Sequence, residues 1–442
     1  MRAIPKRELT FFDSTCLIMG IIIGAGIYQT APDVARGVGS WWGVLIIWIT
    51  GGLLSLCGAL GYAELATAYP QEGGDYVYLS RAYGPWAGFL FGWIQLAVVR
   101  PGDIAVMAFA FATYARTLYD PFASTGLPYG QRIYACAAVV MLTAVNVIGV
   151  REGKWTQNLL TMVKVLGLLT IAGVAAVAPR TAHATLPVNP LPVSVALILV
   201  LFTFGGWNEM AYVAAEVKNP RRNIVRAMVL GTAAVTAIYL LANGAFLATL
   251  GYSGMANSTA VATDTVARAV PNIGDKLIGV LICISALGAV NGLVFTGARI
   301  SYAVGADHRA FRGLGRWYSR TGTPVRALVV QAVIAVSLIL LLGSFVNTIL
   351  YTAAAVYLFY LATSLAILVL RRKEPYVARP YRVTGYPVST LIFCAVCAFL
   401  ITSAIIYKPT IAVAACVLIL LGLPLYWLTS RQPRDQFGTR KM

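Results

Sequence analysis

The chain has 442 residues, 59% of them hydrophobic and 11% charged, with a mean hydropathy of +0.76 and a formal net charge of +18. Soluble proteins carry about 25% charged residues, so the composition excludes a soluble globular domain and reads as an integral membrane protein. Apolar runs near the roughly 20 residues that a spanning helix requires recur along the chain, whereas the alternating segments of a membrane β-barrel do not.

In chain order, a short basic stretch of about eight residues leads into a first apolar run too long to be a cleaved signal. Twelve spans are predicted, at about 11–34, 41–68, 85–118, 133–150, 159–177, 192–215, 227–250, 277–304, 327–342, 346–370, 387–406 and 411–428. A polar segment at 70–76 and an amphipathic piece to Tyr83 separate the second span from the third. Seven cysteines all fall in apolar runs, so neither a disulfide framework nor a metal-ligand spacing is indicated.

The basic residues orient this arrangement. With the N-terminus inside, about 24 Lys and Arg fall in cytoplasmic segments and about 7 outside, and Arg100, Lys164 and Arg299 lie within spans. The positive charge is therefore a topology signal and not a nucleic-acid footprint, with both termini expected in the cytoplasm.

Two spans carry glycine faults. The first holds Gly20, Gly24 and Gly26; the sixth holds Gly205 and Gly206. Each glycine costs roughly 1 kcal/mol relative to alanine inside a helix, and non-helical backbone at bilayer depth is tolerated only where it lines a protein cavity. Their starts are five spans apart and they run in opposite directions. That is the pattern of an inverted five-plus-five repeat with its site at mid-membrane, leaving the last two spans as an appendage.

A break makes two helix ends. The outer half of the first span, starting near Gly26, offers free N–H groups and a positive dipole end to a carboxylate. The inner half, ending at Ile22 and Ile23, offers carbonyls to an ammonium. Tight helix packing through small residues is the competing use of these glycines. Around the second break, Phe202, Phe204 and Trp207 wall a site or pack in the core, and Asn208 is placed to stabilise unwound backbone. Glu209 either faces the pocket and attracts a cation or points to Lys or Arg in the bundle.

Lys164 is an intramembrane charge and so a functional residue by default, fixed or proton-exchanging; snorkelling from a helix start a turn and a half away is the other reading. Arg100 and Asp103, three residues apart, are expected to pair inside the bundle, with a substrate contact as the other reading, and Glu216 is expected to pair with Lys218 and Arg221. His183 and His308 both fall in loops, so no histidine relay or metal site is expected. No phosphate-binding loop is present, and no cofactor or metal is expected.

These residues resemble the L-type amino acid transporters of the amino acid–polyamine–organocation superfamily. Phe204-Gly205-Gly206-Trp207-Asn208, then the run from Glu216 through Asn219-Pro220 to Asn223, is similar to their sixth span, and Ile22 to Ile27 is similar to their first. Gly73-Gly74-Asp75-Tyr76, Val99-Arg100-Pro101, Thr143 to Asn146 and Val290 to Thr296 match in order, over about residues 10–410.

The resemblance implies an all-α membrane fold of twelve spans with broken spans 1 and 6. It implies a first repeat at about 10–180, a second at about 190–372, spans 11 and 12 at about 387–429 and a tail at 431–442. It implies sodium-independent transport of L-amino acids, typically by exchange, and not an enzyme. Carried over by position, Ile22, Ile23, Gly24, Ala25, Gly26 and Ile27 with Phe202, Thr203, Phe204, Gly205 and Trp207 form the substrate site. Lys164 with Ser285 forms a coupling or structural charge, and Asn208 and Glu209 tune specificity. Phe202 is the expected gating aromatic.

Three departures stand out. Ala25 replaces a common serine, Glu209 is acidic, and the loop at about 119–131 has no cysteine, so no disulfide-linked ancillary subunit is expected. The expected protein is a multi-pass exchanger of the cell membrane. Proton symport through Lys164, cationic amino acid or polyamine exchange through Glu209, and a non-transporting sensor are the rivals. The last is disfavoured by tails of about 8 and 14 residues.

Overall fold

A computed structural model describes residues 6–121, 129–177, 187–268, 274–342, 345–407 and 409–429. His183, residues 122–128 of the loop expected to lack cysteine and the tail 431–442 lie outside them. The described residues are helical, with three isolated backbone bridges and no strand.

Among the described residues sixteen α-helices follow in chain order: α1 Phe11–Ile22, α2 Gly26–Val38, α3 Trp41–Ala68, α4 Asp75–Tyr83, α5 Pro85–Ile94, α6 Arg100–Leu118, α7 Gly130–Ile148, α8 Val150–Val177, α9 Val193–Thr203, α10 Pro220–Asn257, α11 Val261–Ala267, α12 Gly274–Asp307, α13 Val325–Leu342, α14 Phe345–Lys373, α15 Val388–Tyr407 and α16 Pro409–Thr429. Among the described residues seven helices are long and apolar enough to cross a membrane, α5 and α6 counting as one. The pair α1 and α2, bent by 50°, makes an eighth candidate, and four shorter apolar helices accompany them.

Local chemistry sets the ends. Thr10 and Asp13 form a reciprocal capping box at the start of α1, satisfying two of its free N–H groups. Between α5 and α6 the backbone takes a π turn at Gln95–Val99, and the Arg100 N–H bonds to the Gln95 carbonyl. Pro101 follows at once; it lacks an N–H, and the wider turn absorbs the mismatch. Gln95, Val99, Arg100, Asp103, Val106 and Met107 then share one cavity-facing side.

The expected fifth span began at 159, but α8 begins at Val150. The charged stretch at 151–154 read as loop is its first turn. Lys164 is therefore nearly four turns into the helix and fully buried, which overturns the snorkelling reading.

The centre of the bundle is α12, packed on α6, α8 and the broken α1, while α10 packs on α3 and α1. The last two helices are not peripheral: α15 packs on α14 and α3, and α16 on α5.

Candidate functional site

The first break is three residues long. The N–H of Ile23 donates to Met19 and that of Gly24 to Ile22, closing α1, and α2 restarts at Gly26 with no side-chain cap. Ala25 stands at the cap, so the first N–H groups of α2 have no acceptor one turn earlier. The break is buried: Ile22 is 2% exposed, and Ile23, Ala25 and Ile27 are at 0%.

Its carbonyls are already in use. Lys164 Nζ donates to the carbonyls of Gly20 (2.7 Å), Ile23 (2.8 Å) and Ser285 (3.0 Å). The Ser285 hydroxyl lies 3.0 Å from the Ile23 carbonyl and 3.1 Å from that of Gly24. Tyr239 on α10 donates to the Ile22 carbonyl at 2.8 Å and reaches the Thr203 carbonyl at 3.3 Å, so one phenol joins both breaks. The Ile22 carbonyl thus takes two donors of the protein itself, and the Ile23 carbonyl takes Lys164 and shares the single proton of the Ser285 hydroxyl with the Gly24 carbonyl.

The second break follows α9. The N–H of Gly205 donates to Phe202, and irregular backbone continues through Glu209–Tyr212 and Ala214–Glu216 before α10 starts. Gly206 has φ +114°, and a Cβ there would sit 2.6 Å from Ile21 Cγ2. Only glycine meets both conditions. Thr203 Oγ1 lies 3.0 Å from Thr30 Oγ1, linking α9 to α2. Phe204 packs on Trp48 and Tyr239, while Trp207 packs on Tyr62, Tyr360 and Phe393. Asn208 is held by Tyr212 (2.8 Å) and Tyr360 (3.0 Å).

Beside this break lies a cavity of about 140 Å³. Of the sequence-predicted site residues, Phe202, Gly205, Trp207 and Glu209 line it. Ile22, Ile23, Gly24, Ala25, Gly26, Ile27, Thr203, Phe204, Asn208, Lys164 and Ser285 stand behind the wall. Met107 separates the two groups: it lines the cavity, and its sulfur would be 3.3 Å from a Cβ on Gly24. The sequence reading missed Ser55 and Gln95 as lining residues, and also Phe393, Val396, Cys397 and Leu400 of α15, the helix read as an appendage; Arg100 and Asp103 line the cavity as their substrate-contact reading had it.

Arg100 and Glu216 pair differently from expectation, while Glu209 both lines the cavity and meets a bundle arginine, its two open readings together. Arg100 Nη2 is 2.8 Å from Glu209 Oε1, not paired with Asp103, and its Nε donates to Gln95 at 3.2 Å. Sequence distance misleads here because the break turns Glu209 onto α6. Glu216 pairs with Arg299 at 2.7 Å, both at most 1% exposed, and not with Lys218 or Arg221. Arg299 stacks 3.8 Å from the Phe295 ring, so its charge is desolvated from every side.

At this end of the bundle two chain segments cross the unwound stretch. Leu9 pairs with Val217, and Glu72 with Val213. Burial pushes the Glu72 carboxyl up to about 7; the neighbouring Glu216 adds to that and Arg299 opposes it. Glu64, with Arg371 and Arg379, and Glu374, with Arg81, tie α3 and α4 to the end of α14.

The amino acid permease family profile matches residues 9–427. The human b(0,+)-type amino acid transporter 1 is 31% identical over 437 residues, covering 96% of this chain and 88% of that one. The human large neutral amino acids transporter small subunit 2 is 31% identical over 444 residues, covering 96% and 80%. The mouse Asc-type amino acid transporter 1 is 31% identical over 448 residues, covering 97% and 82%.

Proposed function

The chain belongs to the amino acid permease family, and we propose that it is a sodium-independent exchanger of L-amino acids working by alternating access in the cell membrane. In this reading twelve spans cross the bilayer with both termini in the cytoplasm. The first five and the next five form the inverted repeats, at about 10–180 and 190–372, and two further spans at about 387–429 close the bundle.

The observation that carries the reading is the seat of Lys164. Its ammonium bonds three carbonyls, two from the first break and one from α12. A cation-coupled transporter holds a metal ion with unwound carbonyls of this kind. Here a covalently attached charge joins the arms permanently, so no sodium is needed to assemble them.

The substrate carboxylate meets the N–H groups at the start of α2, from Ala25 to Ile27, once Met107 swings aside. Its ammonium meets the carbonyl end of α9, since those of Ile22 and Ile23 already take donors of the protein itself. Phe202 closes over the bound molecule, and Trp207 backs it. No ancillary subunit is required. Uptake of labelled leucine into sodium-free proteoliposomes tests the reading. Vesicles preloaded with leucine accumulate label many times faster than empty ones. Equal rates, or a strict sodium requirement, reject exchange.

A further inference from the structure

The cavity wall holds one acid that no ion pair takes up. Arg100 and Glu209 neutralise each other, with both side chains at most 5% exposed. Asp103, one turn along α6, lines the same cavity and forms no ion pair or hydrogen bond with any described residue. Glu209 keeps its second oxygen, Oε2, buried without a partner. No lysine or histidine is among the lining residues; the remaining ionisable groups there are the phenols of Tyr212, Tyr357 and Tyr360 and the Cys397 thiol, all neutral at physiological pH. Two carboxyl groups face one guanidinium, so the cavity holds one acid more than Arg100 pairs with.

A carboxylate at that depth is expensive unless a cation meets it. Beyond the charged edge the wall is apolar, with Val99, Val106, Met107, Val356, Val396 and Leu400. That shape suits a methylene chain tipped by a cation. We propose that the cavity takes an amino acid whose side chain ends in an ammonium or guanidinium, and that Asp103 is the residue that selects it. Glu209, steered by Arg100, supplies the second carboxylate edge. The inference rests on the exchanger reading and names its substrate class.

Arginine and citrulline make the test, because they share a shape and differ in charge. Uptake of each is measured in amino acid-loaded proteoliposomes, with labelled leucine as a third substrate. The expected KM for arginine is at least tenfold below that for citrulline. Asp103→Asn brings the ratio towards one, and Asp103→Glu keeps most of it. Should Asp103→Asn not fold, the wild-type ratio and the Glu variant decide.

Equal handling of arginine and citrulline, alongside leucine exchange, overturns this inference and leaves the exchanger reading standing. Absence of exchange for all three overturns the exchanger reading itself. Citrulline uptake driven by an inward proton gradient, and lost in Asp103→Asn, assigns the missing positive charge to a proton and overturns the cationic side chain.

Discussion

Arg100 on α6 and Glu209 in the second break are joined at 2.8 Å, 109 residues apart in the chain and almost wholly buried. The pair ties the irregular α9–α10 connection to α6. Removing one partner strands the other charge, which costs about 3–5 kcal/mol, whereas replacing both by apolar groups is often neutral. Arg100→Met alone is therefore expected to lower the melting temperature in detergent by many degrees, and Arg100→Met with Glu209→Met to recover most of the loss. Additive losses would mean that the two charges are not coupled.

Lys164 gives a second prediction. Lys164→Ala leaves the Gly20 and Ser285 carbonyls without their buried donor, at about 1–3 kcal/mol for each unsatisfied group. Exchange should fall more than tenfold, because the first break is no longer held to α12. Gly288→Ala should act in the same direction, since its Cβ would lie 2.6 Å from the Lys164 Nζ. Full activity in both variants would remove Lys164 from the account.

Gly206→Ala combines an unfavourable φ of +114° with a 2.6 Å clash against Ile21. Backbone strain of this type costs about 1–3 kcal/mol. The expected result is a folded protein of reduced melting temperature with exchange lowered at least tenfold. Gly205, without a positive φ, should tolerate alanine better.

Glu72 predicts a pH dependence of stability. An acid whose folded value is raised stabilises the fold fully below its ordinary value of 4.5, and that contribution is lost as pH rises through about 7. The melting temperature of the wild type should therefore fall between pH 5.5 and pH 8. Glu72→Gln should flatten that slope and be the more stable protein at pH 8. An unchanged slope in the variant would place the titration elsewhere.

Glycine placement made both breaks legible, because a glycine pair in a long apolar run has few uses besides unwinding or close packing. The helix limits at 41–68 and 85–118 were equally legible from hydropathy. Partner choice was not. Arg100 and Asp103 are neighbours in sequence, and so are Glu216 and Lys218, yet the true partners Glu209 and Arg299 come from segments brought together by the irregular backbone after α9.

Tyr239 was invisible for another reason. An aromatic in an apolar run carries no periodic signal, and only the fold reveals that its hydroxyl meets the Ile22 carbonyl. The share of α15 in the cavity was missed because the repeat pattern ended before it. Charged first turns, as at 151–154, hid the start of α8 and so the depth of Lys164.

The central claim is obligatory exchange without sodium. The direct measurement is efflux of labelled amino acid from loaded proteoliposomes into sodium-free buffer, with and without external amino acid, counting molecules in against molecules out. The account predicts negligible efflux into empty buffer and one-for-one counterflow when substrate is present outside. Rapid efflux into amino acid-free buffer, or counterflow that appears only when sodium is added, would contradict it.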